Sequence, residues 1–280
     1  MFESHFGLSA SPFQLSPDPR FFFESSGHKN ALAYLRFGVY QQEGFIVVTG
    51  DIGAGKTTLV RTLINELNAD EVVAAQVLNT QLNDAELLSS ICNAFGVPTP
   101  GQSKAQLLGS LEAFFTAVAA SGRRSLLIID EAQNLGHREV EELRMLSNFQ
   151  IGNRALLQSF LVGQPELRRM VAAPEMEQLR QRIMASCHLG PLDASEVRAY
   201  IEHRLNFANW DGTPIFVRGA IEEIFVHTGG VPRRINLLCG RLMHAAALAN
   251  KITVDANAVR VGAADLRQEM SYEPNTAIKV

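Results

Sequence analysis

Cysteine is scarce in this 280-residue chain, and the three present, Cys92, Cys187 and Cys239, lie far apart with no C-x-x-C pair among them. That excludes a disulfide framework and a zinc ribbon, and the thiols read as small core residues of a reducing compartment. Positive charge is not in surplus: 25 Lys and Arg face 29 Asp and Glu, a formal net charge of −4. No global basic field therefore advertises nucleic acid or an anionic membrane, which leaves only a local patch open. No uninterrupted apolar run reaches the roughly 18 residues that a membrane-spanning helix needs. The start, MFESHFGLSASPF, has neither a positive opening nor an apolar signal core. The expectation is a cytoplasmic protein that reaches any inner-membrane machine through a partner. The seven histidines show no ligand spacing and read as satisfied or solvated side chains.

A hydrophobic content of 46% is enough for a sizeable core plus a smaller satellite. Residues 1–27, rich in Phe, Ser and Pro, cannot form a continuous helix across Pro12, Pro17 and Pro19, yet are too apolar for a free tail. They are expected as an ordered arm packed on the core. From 28 to 190, short apolar runs alternate with helical patterns: strands at 45–48, 71–78, 125–130, 156–162 and a short one at 187–189, with helices between. This alternation predicts an α/β fold with a parallel sheet covered on both faces. Beyond Pro191 only helical periodicity is left, over 195–205, 217–227 and 233–249, so 191–268 is expected as a small all-helical domain and 269–280 as a loose tail.

The stretch FIVVTGDIGAGKTT, Phe45 to Thr58, organises the rest. Gly50, Gly55, Lys56 and Thr57 fit G-x-x-x-x-G-K-[ST], with Asp51, Ile52, Gly53 and Ala54 as the free positions, and Thr58 follows. Glycines let successive N–H groups curl around phosphate oxygens, and the next helix turns its positive end toward them. Lys56 would add a point charge near the β/γ oxygens, and Thr57 a hydroxyl for Mg²⁺. In SLLIIDE the apolar run ends in Asp130 and Glu131. Asp130 is the second candidate for Mg²⁺ and Glu131 the candidate base for an attacking water, although an acidic pair after a strand also suits a solvated helix start. Hydrolysis is thus expected over simple nucleotide exchange. No N-K-x-D guanine-reading motif is present, which points to ATP.

Taken together, FGLSASPFQLSPDPRFFF, GDIGAGKTTL, LLIIDEAQNL, FLVGQPEL, LRQRI and GGVPRRINLLC resemble the AAA+ ATPases, and within them the ExeA-like secretion ATPases, most of all the kind encoded beside exosortase and exopolysaccharide loci. The resemblance implies a P-loop NTPase core of three layers followed by a helical lid, with ATP and Mg²⁺ between them. It assigns Gln164 to the sensor-1 position and Arg182 to the arginine finger that reaches a neighbouring subunit, with Arg180 as second choice. It also assigns Arg233 to the sensor-2 position in the lid, with Arg234 competing, and gives Asn79 a role in holding Glu131 inactive. Phe21 to Phe23, with Pro19 and Arg20, would help enclose the adenine, while core packing is the stronger reading for most of those rings. ExeA proteins continue into a membrane span and a peptidoglycan-binding region. The sequence in hand stops at Val280 without them, so cell-wall binding is not carried over. A homo-oligomer docked on inner-membrane export or polysaccharide machinery is the expectation. A DNA-binding regulator of the transposition-helper type and a non-catalytic nucleotide switch are the alternatives.

Overall fold

Five strands set the architecture, and helices connect and cover them. The computed structural model describes residues 2–16, 18–78, 83–99, 101 and 103–270. A short helix α1 (Phe2–His5) and a 3-10 turn at Pro19–Phe21 precede α2 (Ser26–Gln41), β1 (Phe45–Gly50) and α3 (Lys56–Glu66). Then come β2 (Val72–Val77), α4 (Asp84–Ala94), α5 (Lys104–Ala120), β3 (Arg124–Ile129) and α6 (His137–Leu146). A small antiparallel hairpin of β4 (Gln150–Ile151) and β5 (Arg154–Ala155) leads into β6 (Leu157–Gly163), α7 (Pro165–Ala172), α8 (Glu177–Arg180) and β7 (Ile183–Leu189). The remainder holds α9 (Ala194–Asn206), β8 (Ile215–Phe216), α10 (Arg218–Thr228), α11 (Pro232–Leu248), β9 (Thr253–Val254) and α12 (Ala256–Met270).

Ser26–Gly190 form one compact unit, built on a sheet of order β2-β3-β6-β1-β7 in which every pairing is parallel. This is the parallel α/β core that the alternation of strands and helices predicts. All residues of β1 and β6 are buried, as two-faced coverage requires. The register sets Val47 opposite Leu161 and Ile128 opposite Phe160, so the carboxyl ends of β1, β3 and β6 lie nearly level. β7 runs longer than the three residues read from the sequence, because at the sheet edge Met184, Ser186 and His188 are exposed while their neighbours are not. An edge strand alternates, and no apolar run announces it. Phe115, Leu127 and Leu161 are fully buried within one apolar cluster of this unit.

The second unit joins the chain start, up to Ser25, to everything from Pro191 on. Val197, Ile224, Ile235, Cys239, Met243 and Val259 are completely buried at its centre. Phe6, Leu8 and Phe13 belong to the same cluster, which corrects the expectation that residues 1–27 pack on the α/β core. The reason is polar as well as apolar: Arg204 of α9 donates from Nε to Pro12 O at 2.6 Å and from Nη2 to Gln14 O at 2.9 Å, and its guanidinium lies 4.3 Å from the centre of the Phe21 ring. Ser9 N donates to Ala208 O at 2.9 Å. Among the described residues the unit is helical apart from a two-residue parallel pairing of β8 with β9. α12 is a further helix outside the three read from periodicity and runs to Met270, past the expected start of the tail at 269. No helix among the described residues is long and apolar enough to cross a membrane.

Candidate functional site

The level carboxyl ends of three adjacent strands bring the predicted chemistry of the α/β unit to one edge. Gly50 closes β1, and the loop behind it turns on a bond from Ala54 N to Asp51 O. Gly55 stands before α3 with φ +101°, a left-handed conformation that L side chains rarely adopt, and a Cβ there would come within 2.8 Å of His28 Nε2. α3 has no side-chain cap, so its first-turn N–H groups are left to whatever binds the loop. Ala54 is fully buried, Asp51 and Ile52 are exposed, and Gly53, Thr57 and Thr58 are half-buried.

Lys56 is 7% exposed and its Nζ donates to Gly50 O at 2.6 Å and to Asp51 O at 3.0 Å. Burial pulls its pKa below the ordinary lysine value, while the charges of Glu131, Asp130, Asp51 and Glu166 pull it back up. Thr57 Oγ1 donates to Asp130 Oδ2 at 3.1 Å across the gap between α3 and β3. Asp130, 5% exposed, accepts the Glu131 N–H on Oδ1 at 3.0 Å. Burial nevertheless raises its pKa above the usual aspartate value, against the hydrogen bonds from Glu131 and Thr57. A hydroxyl and a carboxylate brought together as hard oxygen donors suit Mg²⁺.

Glu131 takes φ 52° and ψ 37°, a left-handed conformation that costs a non-glycine residue about 1–2 kcal/mol. Strain of this kind gathers where geometry matters to function. Its Oε2 accepts Gln133 Nε2 at 2.6 Å and Gln164 Nε2 at 3.1 Å. Gln164 directly follows β6 and precedes Pro165, so its predicted position is at the same edge as Glu131. Gln133 was not read from the sequence. Its only signal there is its place two residues after the acidic pair.

Arg180 donates from Nη1 to Val171 O at 3.0 Å and Ala173 O at 3.2 Å, closing the end of α7. Arg182 donates from Nη1 to Ser147 Oγ at 2.8 Å. Arg233 and Arg234 are both exposed in the first turn of α11 in the second unit, and neither is in an ion pair among the described residues. Phe21 is buried, packed 4.7 Å centre to centre on Phe207 and against Arg204, and Phe23 lies edge-on to Tyr200. Asn79 lies outside the described residues.

Comparison with known proteins agrees with this geometry. An AAA domain model matches residues 39–171, which take in the phosphate loop, Asp130, Glu131 and Gln164. General secretion pathway protein A of Aeromonas hydrophila is 40% identical over 247 residues, covering 88% of this chain and 45% of that protein. The chain thus spans less than half the length of this curated relative. Among solved structures, the Aeropyrum pernix ORC2 protein in its ADPNP–ADP complexes superposes with a TM-score of 0.69 at 17% identity, over 95% of this chain and 75% of that one. The Thermotoga maritima RuvB Holliday junction branch migration motor gives 0.56 at 18% identity, over 88% and 70%. At such identities the structures speak for the fold alone. Motif, fold and relative converge: residues 39–171 carry an AAA domain, and over 88% of its length the chain is a homologue of general secretion pathway protein A.

Proposed function

We propose that this protein binds ATP with Mg²⁺, hydrolyses it as a homo-oligomer, and uses the conformational change to support assembly or operation of an envelope export or exopolysaccharide system. The observation that carries the hydrolytic part is the meeting of Thr57 and Asp130 at 3.1 Å beside a Glu131 carboxylate held by Gln164. Thr57 and Asp130 would hold Mg²⁺, which supplies charge neutralisation between the β- and γ-phosphates when bound. Lys56 offsets phosphate charge, and Glu131 takes the proton of the attacking water. Gln164 has its side chain at the edge where the γ-phosphate would end. Arg233, with Arg234 beside it, stands in a helix first turn where the dipole disfavours cations by about 0.3–1 kcal/mol each, a cost that binding an anion would offset.

The secretion part rests on the name of the Aeromonas relative, and docking at the inner membrane through a partner follows from that reading. Lys56→Ala is expected to abolish ATP binding in calorimetry; retained affinity removes the loop from the nucleotide site. Glu131→Gln is expected to bind ATP and to turn over slower by about a hundredfold or more, as loss of a general base demands. An unchanged turnover number would falsify its role as base. The biological partner is tested by capture from native cells on tagged Glu131→Gln, with and without nuclease. Nuclease-resistant recovery of export or polysaccharide components supports the reading, whereas nuclease-sensitive recovery of DNA replaces it with a DNA-dependent role.

A further inference from the structure

Gln133 lies in the 3-10 turn Ala132–Asn134 behind Glu131, and both ends of its amide are engaged. Nε2 donates to Glu131 Oε2 at 2.6 Å, while Oε1 accepts the backbone N–H of Gln164 at 3.0 Å. The second bond fixes the first: with the amide oxygen committed to an N–H, only the NH₂ group is left to face the carboxylate. Gly163, the last residue of β6, leaves the room for this. A Cβ on Gly163 would stand 2.6 Å from Gln133 Oε1 and 3.2 Å from Gln133 N. The two glutamines that reach Oε2 differ in their anchorage. A side chain such as that of Gln164 can swing toward a bound phosphate, whereas Gln133 is tied to the main chain at the end of β6.

We propose that Gln133 is the positioning residue of Glu131, keeping the carboxylate aimed when the Gln164 side chain turns to the nucleotide and tying that aim to the end of β6. This rests on the hydrolase reading above. Its test is steady-state ATP hydrolysis with parallel nucleotide affinities for the wild type, Gln133→Leu, Gly163→Ala, Glu131→Gln and the Gln133→Leu/Glu131→Gln double variant. Gln133→Leu is expected to lower kcat about tenfold or more, with KM and ATP affinity held within about twofold. Gly163→Ala keeps the glutamine but displaces its amide, and lowers kcat in the same direction. On the Glu131→Gln background, Gln133→Leu is expected to change the residual rate by less than about twofold, because the group it positions is gone. A Gln133→Leu kcat within twofold of wild type overturns the assignment, as does a loss that persists undiminished in the double variant, the mark of a merely structural glutamine. A wild type that binds ATP without turning it over removes the hydrolase reading instead, and the positioning role with it.

Discussion

Asp130 works against the stability of the nucleotide-free protein. Burial raises its pKa above the ordinary aspartate value of 3.8, so the folded chain holds this proton more tightly than the unfolded chain does. Its contribution is therefore most favourable at low pH and is lost as pH rises through the folded-state value. Asp130→Asn, which keeps an oxygen for the Glu131 N–H, is expected to raise the Tm of the nucleotide-free protein near neutral pH and to bring hydrolysis down about a hundredfold or more, since a metal ligand is gone. A lower Tm measured by calorimetry at pH 7 would show the charge to be stabilising and the sign wrong. That Lys56, Thr57, Asp130 and Glu131 meet was legible in the sequence, because a glycine-lysine-threonine turn and an acid-ended strand constrain residue type by spacing. Gln133 was not. A glutamine two residues past an acid has no period and no charge, and only the left-handed Glu131 and the turn after it bring its amide back to the carboxylate.

The arm at the chain start is an element defined by what it packs on. Its phenylalanines announce burial in the sequence, but nothing local says where, since the partners lie in α9 and α11. Arg204 is the hinge of that choice, satisfying two main-chain carbonyls that a proline-rich segment cannot satisfy by itself. Arg204→Ala is expected to cost about 2–4 kcal/mol, from one buried and one part-buried carbonyl left without these donors and a lost ring contact. Limited proteolysis within residues 2–25 is expected to speed up in step. Unchanged cleavage would show the ring packing alone to hold the arm. α12 escaped the reading by periodicity because its buried face, Val259, Gly262, Ala263 and partly buried Leu266, is half made of small residues. β7 escaped in part because an edge strand needs only every second residue apolar.

For the whole molecule, the parallel core was legible from the order of its elements, while the oligomer proposed here depends on a residue that a neighbour must receive. Arg180 spends its guanidinium on the end of α7, whereas among the described residues Arg182 donates to one serine hydroxyl, so Arg182 is the one with capacity to turn outward. Mixing Arg182→Ala with Lys56→Ala, each inactive alone, is expected to restore about a quarter of the sites, those where an intact loop meets an intact neighbouring arginine. Native mass spectrometry showing mixed oligomers without any recovered activity would remove Arg182 from the site of its neighbour. The second unit has another consequence, one that concerns the ribosome. Its two pieces of chain are separated by the entire α/β unit. At ~5–20 residues per second, Phe6, Leu8 and Phe13 emerge on the order of ten seconds or more before Val197 and Ile235 exist to cover them. During synthesis, then, the α/β unit can fold first on its own contiguous chain, while the leading segment carries uncovered aromatic rings, a natural target for a holding chaperone until the last helices arrive.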